Sequence, residues 1–149
     1  MPHPLTGREI LFTRQSHDAK RAGFHYDYRL VLGSHAYSWA TKKSLPKIGE
    51  SIILYEQPVH TRDYALRKRL TIPEGNYGTG TVSLDFIRKA KVEPETEDGK
   101  IVFTVTSGGE KNRFLIKKLD SAKFSDKSWL FKNLGVKPEN KYLKKINGK

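Results

Sequence analysis

The densest run of chemically capable side chains is His17-Asp18-Ala19-Lys20-Arg21-Ala22-Gly23-Phe24-His25-Tyr26-Asp27-Tyr28-Arg29. His25, Asp27 and Arg29 stand at alternate positions, a spacing that projects all three from one face of a strand. An imidazole beside a carboxylate is half of a divalent metal site, and a guanidinium next along suits a phosphate bridging to that metal. In this reading His17, before the intervening loop, folds back as the third ligand. Two imidazoles and a carboxylate accept Mn²⁺, Zn²⁺ or Fe²⁺, and ligand type alone does not choose among them. A polar strand face is more often a solvated sheet surface, and spacing by itself favours that plainer account. Against it stands convergence: two His, one Asp and several cations share a short window of a chain with only five His. His3 and His35 are assigned no role.

Two further clusters follow. In His60-Thr61-Arg62-Asp63-Tyr64, the imidazole and the phenol can each donate to a phosphate oxygen, and Arg67-Lys68-Arg69 adds a basic stretch. Thr71 to Gly80 holds three glycines and a proline in ten residues, a tight irregular backbone. It lacks the Gly-Lys-Ser/Thr of a Walker loop and the apolar periodicity of a Rossmann turn.

The elements that must position these residues have a period of two. Arg8 to Gln15 alternates loosely and ends at a polar turn. Tyr26 to Leu32 sets Tyr28, Leu30 and Leu32 against Asp27, Arg29 and Val31. Gly33-Ser34 turns into Ala36 to Thr41, a hairpin with Trp39 on its buried face. Ser51 to Val59 is a strand that Pro58 ends or marks as an edge. Gly80 to Ile87, Lys100 to Thr106, Arg113 to Leu119 and Ser128 to Lys132 complete the set, with turns at Asp98-Gly99 and Gly108-Gly109. Only Pro138 to Ile146 reads as helix. The expectation is a mainly β protein, a small antiparallel β-barrel with a short C-terminal helical tail. One domain covers residues 1–149, with a core over about 8–134 and a basic tail over 135–149.

Composition narrows the partners. The chain has 149 residues, 28 Lys+Arg against 16 Asp+Glu, and a formal net charge of +12. A polyanion is the natural partner, nucleic acid before others, because each neutralised phosphate releases counterions. The absence of cysteine excludes a disulfide scaffold, a zinc finger and a thiol nucleophile. Met1 to Gly7 lacks the apolar core of a signal peptide and no window approaches a membrane span, so a cytoplasmic protein that meets no membrane is expected.

Taken together, His17-Asp18-Ala19-Lys20-Arg21, the strand His25 to Leu30, Ser38-Trp39-Ala40, His60 to Tyr64 and the Thr-Ile-Pro-Glu-Gly-x-Tyr-Gly-x-Gly string of Thr71 to Gly80 resemble the 3′-phosphoesterase domain of bacterial DNA ligase D and its stand-alone archaeal relatives. Phe114-Leu115-Ile116-Lys117 and Ser128-Trp129-Leu130-Phe131-Lys132 extend the resemblance to roughly Thr13–Lys132. It implies a small β-barrel and a Mn²⁺-dependent enzyme that removes a 3′-terminal ribonucleoside, then the 3′-phosphate, to leave a 3′-hydroxyl. It also implies His17, His25 and Asp27 as metal ligands. Arg29, His60 and Tyr64 then match the phosphate-handling, catalytic residues, and Lys43 matches a family lysine. Arg67, Lys68 and Arg69 are expected to bind nucleic acid. Three departures stand out. The loop before His25 is longer by two residues, Pro58-Val59 replace an acidic pair, and Ser51-Ile52 stand where an arginine leads the strand.

The expected partner is a DNA or RNA 3′ end, such as a primer-template duplex. The protein is read as a monomer that meets a separate ligase or polymerase in trans. The rival reading is a non-catalytic 3′-end-binding module with an eroded site. A weaker one is a basic barrel stacking single strands on its aromatic residues.

Overall fold

Apolar alternation builds nine strands in the computed structural model, which describes residues 5–21, 23–73 and 80–136. They are β1 (Glu9–Ala19), β2 (Gly23–Leu32), β3 (His35–Thr41), β4 (Ser51–Thr61), β5 (Arg69–Ile72), β6 (Gly80–Val92), β7 (Lys100–Ser107), β8 (Glu110–Lys118) and β9 (Ser128–Val136), with one short helix, α1 (Arg62–Ala65). Every strand pairing is antiparallel. The order β1-β2-β3-β4-β9-β8-β7-β6 returns to β1 through a β1–β6 pairing, so eight strands form a ring and β5 lies beside the start of β6.

Inward residues of the eight ring strands meet around Phe12, whose ring lies 5.2 Å from Phe103, 5.3 Å from Phe86 and 5.8 Å from Phe114. Leu30, Trp39, Leu54, Ile116 and Phe131 complete this core. Part of the outer face is buried as well. Val31, Ala36 and Ala65 of α1 pack against Leu11 there, so α1 roofs the outer surface of β1, β2 and β3. Residues of β2 are therefore covered on both sides, and the polar face that spacing alone would leave solvated is instead enclosed.

Several expectations change, among them the strand expected over Gly80 to Ile87, which runs on to Val92. β1 does not end in a polar turn after Gln15 but runs to Ala19, with His17 inside it, directly opposite His25. Strand pairing, not a folded-back loop, brings the two imidazoles together. Pro58 does not end β4, which continues to Thr61. The register with β3 shifts between Ala36 and Ser38, so Pro58 falls where the ladder is broken and its missing N–H costs no bond. α1 and β5 were not anticipated, since four residues each carry too little periodicity. β9 runs beyond Lys132 to Val136. The expected helical tail at Pro138 to Ile146 and the glycine-rich residues 74–79 lie outside the described residues.

A second irregularity shapes the site. Between β1 and β6 the register slips at Arg14/Gln15, leaving Asp85 unpaired. Its carboxylate accepts from Arg14 Nε at 2.8 Å and Ser16 Oγ at 2.5 Å. Beyond this bulge β6 runs close against the end of β1. A Cβ on Gly80, at φ 148°, would sit 2.0 Å from the carbonyl oxygen of Asp18. Gly80→Ala is therefore expected to cost about 1–3 kcal/mol of stability through overpacking. It should also displace His17 next to Asp18. A lowered denaturation midpoint at unchanged m value checks this; an unchanged midpoint would mean that β1 and β6 part there freely.

Candidate functional site

The outer faces of β1 and β2 carry the site. Direct pairing sets His17 opposite His25, Gln15 opposite Asp27 and Thr13 opposite Arg29. Paired residues share a face, so two adjacent alternating strands concentrate imidazole, carboxylate, amide and guanidinium in one patch. Asp27 is its hub. Its Oδ2 lies 3.5 Å from His25 Nε2, 3.9 Å from His17 Nδ1 and 3.8 Å from Arg29 Nη2. One ligand atom from each of His17, His25 and Asp27 falls within 4.8 Å of the others. That spacing and the donor set fit a single divalent ion. His17 and Asp27 are buried, which distinguishes them from a solvated acidic cluster.

Among the described residues Arg29 is the largest fully buried side chain, 2% exposed. Its burial is compensated by fixed partners: Nε donates to Ser38 Oγ at 3.0 Å and Nη1 to Gln15 Oε1 at 2.6 Å. Ser38 is held in turn by donating to Ala36 O at 3.1 Å. Gln15 donates from Nε2 to the carbonyls of Tyr64 (2.8 Å) and Arg67 (3.4 Å), tying the end of α1 down onto β1. With Nε and Nη1 occupied, Nη2 is the edge left toward Asp27. Burial pulls the Arg29 pKa down and Asp27 opposes this; a guanidinium stays charged regardless.

Thr61 accepts from Tyr64 N at 3.2 Å, the N-cap that starts α1 where β4 stops. The turn lays the Tyr64 ring 5.2 Å beneath the Arg29 guanidinium and stacks it on His60 at 4.6 Å and 13°. His60, Tyr64 and Arg29 thus form a stack beside the triad. Burial and then the Arg29 charge push the His60 pKa down, so its imidazole is neutral at neutral pH. Burial raises the Tyr64 pKa and keeps the hydroxyl proton on. For His25 the hydrogen bond to Asp27 raises the pKa against the effect of burial.

The structure does not tie every predicted residue to this cluster. Lys43 follows β3 with its side chain exposed; only its backbone is engaged, by Thr41 Oγ1 and the Tyr28 hydroxyl. Arg67, Lys68 and Arg69 are exposed on the segment from α1 into β5, and Arg67 reaches Asp63 at 3.4 Å. Gln15 and Ser38, which hold Arg29, were not singled out as site residues from sequence. Gln15 shares the parity of His17, a signal that appears only with β1 continued to Ala19.

The sequence model of the DNA ligase D 3′-phosphoesterase domain matches residues 15–118, which span the triad, the His60–Tyr64 stack and β5 to β8. The chain belongs to that family. Among curated relatives, the multifunctional non-homologous end joining DNA repair protein LigD of Mycobacterium tuberculosis is 29% identical over 119 residues, 76% of this chain and 15% of the relative. The LigD protein of Mycobacterium bovis gives the same figures. The chain thus spans a small part of the length of these relatives. Among the described residues no helix is long and apolar enough to cross a membrane.

Proposed function

We propose that this phosphoesterase-family domain is a metal-dependent hydrolase of nucleic-acid 3′ ends, removing a terminal ribonucleoside and the 3′-phosphate to leave a 3′-hydroxyl. The observation that carries this reading is the meeting of buried His17 and half-buried His25 at the buried Asp27 carboxylate, with Arg29 Nη2 aimed at the same point. His17, His25 and Asp27 would hold the ion, Mn²⁺ or another divalent metal that takes imidazole and carboxylate. Such an ion, when bound, polarises a phosphoryl oxygen.

The remaining roles belong to the chain. Arg29 offers Nη2 to a phosphate oxygen and counters charge that builds up in the transition state. Its network with Gln15 and Ser38 fixes that edge before substrate arrives, so no reorganisation is needed during reaction. Tyr64 keeps its proton and donates a hydrogen bond. Neutral His60 can donate from one ring nitrogen or accept at the other, which suits it to move a proton at the leaving or attacking oxygen. Lys43 is proposed to reach the phosphate only with substrate present. The fitting partners are DNA or RNA 3′ ends, including primer-template duplexes, handed on to a ligase or polymerase.

The test is incubation of duplex primers ending in a 3′-ribonucleotide or a 3′-phosphate, with and without Mn²⁺, and resolution of the products. Conversion to a 3′-hydroxyl only with metal supports the hydrolase. Tight end binding with no conversion under any divalent metal supports the binding module instead. That second reading draws on Pro58 and Val59, which place no carboxylate on β4 next to His60.

Arg67, Lys68 and Arg69 lie outside the stack and are expected to supply salt-dependent affinity. Replacing all three with alanine should raise KM more than it lowers kcat. It should also flatten the log K against log salt slope by about 0.9 per lost phosphate contact on duplex DNA. Unchanged affinity and slope would mark them as surface charge alone.

A further inference from the structure

Asp27 on β2 stands opposite Ala40 on β3, and Ala40 stands opposite Tyr55 on β4. Leu54, next to Tyr55, is fully buried in the inward core. Tyr55 therefore points outward, onto the face that carries the triad. Two strand spacings, about 9.5 Å, separate its backbone from that of Asp27. Only the methyl group of Ala40 stands between them in this row. On its other side Tyr55 pairs with Ser128, also small and buried.

The Tyr55 residue is 50% exposed, an aromatic surface left open beside a buried polar site. Cations flank it. Lys127 precedes Ser128, and its carbonyl accepts from Glu56 N at 2.8 Å, while exposed Lys42 and Lys43 follow the end of β3. Phe24, an exposed aromatic next to a ligand, has the opposite parity to His25 and turns its ring onto Tyr26 at 5.1 Å and 89°. It does not share the triad's face.

We propose that Tyr55 is a stacking platform for the nucleobase of the nucleotide whose 3′ phosphate is held by Arg29 and the triad; this rests on the phosphoesterase reading. A nucleotide's base lies within one sugar of its phosphate, the reach that the row from Asp27 to Tyr55 spans. The open methyl floor of Ala40 leaves room for the sugar. Because every base has a π face, the platform favours an end that carries a base without choosing among bases. Lys42 and Lys127 meet the phosphates of the adjoining backbone.

The test uses a DNA duplex with an unpaired 3′-terminal 2-aminopurine and a 3′-hydroxyl, the reaction's product, so that nothing turns over. A matched duplex ends in an abasic residue. Wild type should quench the 2-aminopurine and bind it about five- to hundredfold more tightly than the abasic end. Tyr55→Ala should lose both the quenching and this preference while binding the abasic duplex as wild type does; Tyr55→Phe should retain them. A wild type without the preference, or a Tyr55→Ala variant that keeps it, overturns the platform. The two readings fail separately. Wild type that quenches but never converts a 3′-phosphate end sinks the hydrolase and leaves the platform standing. Wild type that converts ends while Tyr55→Ala keeps the base preference does the reverse.

Discussion

Arg29→Lys is expected to slow single-turnover release of 3′-phosphate by roughly tenfold to a thousandfold, equivalent to about 1.4–4 kcal/mol. Three features make lysine a poor copy. A guanidinium donates in a plane from several nitrogens at once, and here Nε and Nη1 are bound to Ser38 and Gln15 while Nη2 faces Asp27. An ammonium can satisfy one of these directions, not all three. It also loses the face that lies over the Tyr64 ring. At 2% exposure no water replaces the missing donor, so Gln15 Oε1 or Ser38 Oγ is left unpaired, at about 1–3 kcal/mol of stability. The variant should thus be slower and less stable, and the rate loss should persist at saturating substrate and well below its melting range. A wild-type single-turnover rate would return the catalytic assignment to His60 and Tyr64.

This double cost follows from burial, which the alternation around Arg29 did not reveal. Period two in Tyr26 to Leu32 correctly separated the two faces, and Trp39 is buried as its place in the hairpin implied. The same pattern set Asp27 and Arg29 on the outer face, where polar residues ordinarily meet water. What covers Arg29 is the Tyr64 ring of α1, four residues held by a Thr61 cap and by the Gln15 amide. A single turn of helix leaves no periodic trace, and the polar residues that anchor it look like surface residues in the sequence. β5 was missed for the same reason of length.

The site was legible where one strand contained it. The shared face of His25, Asp27 and Arg29 follows from alternation alone, whereas the place of His17 depends on where β1 ends. A polar run of Ser16, His17 and Asp18 reads as a turn, but in the structure these residues pair with β2 and β6 on both sides. Neighbours on two edges satisfy the backbone and make the strand possible despite its polar side chains. The His60–Tyr64 contact needed a register break at Pro58 and a helical turn, neither of which spacing encodes. Its spacing of four did suit the stack, because the turn brings the Tyr64 ring back over His60.

Asp27→Asn should have the largest effect of any single substitution, since two imidazoles and the guanidinium all face one carboxylate oxygen. Removing its charge takes away an anionic ligand and the partner that offsets Arg29, while shape and volume hardly change. Calorimetric titration with Mn²⁺ should show wild-type heat disappear in the variant, and turnover should fall at least about a thousandfold, or about 4 kcal/mol. A second readout needs neither metal nor substrate. The hydrogen bond to Asp27 is the leading cause that raises the His25 pKa, because a carboxylate stabilises the imidazolium. In metal-free wild type, NMR titration should therefore place the His25 midpoint above the ordinary imidazole value, and Asp27→Asn should move it down. The direction bears on metal uptake, since a ligating nitrogen must be neutral. As pH falls, protons displace the metal, and the raised His25 pKa starts that competition at a higher pH than a free imidazole would. An Asp27→Asn protein that still binds Mn²⁺ with wild-type heat would leave the triad a buried polar network rather than a metal centre. A His25 midpoint that did not move would sever the link between that carboxylate and the imidazole.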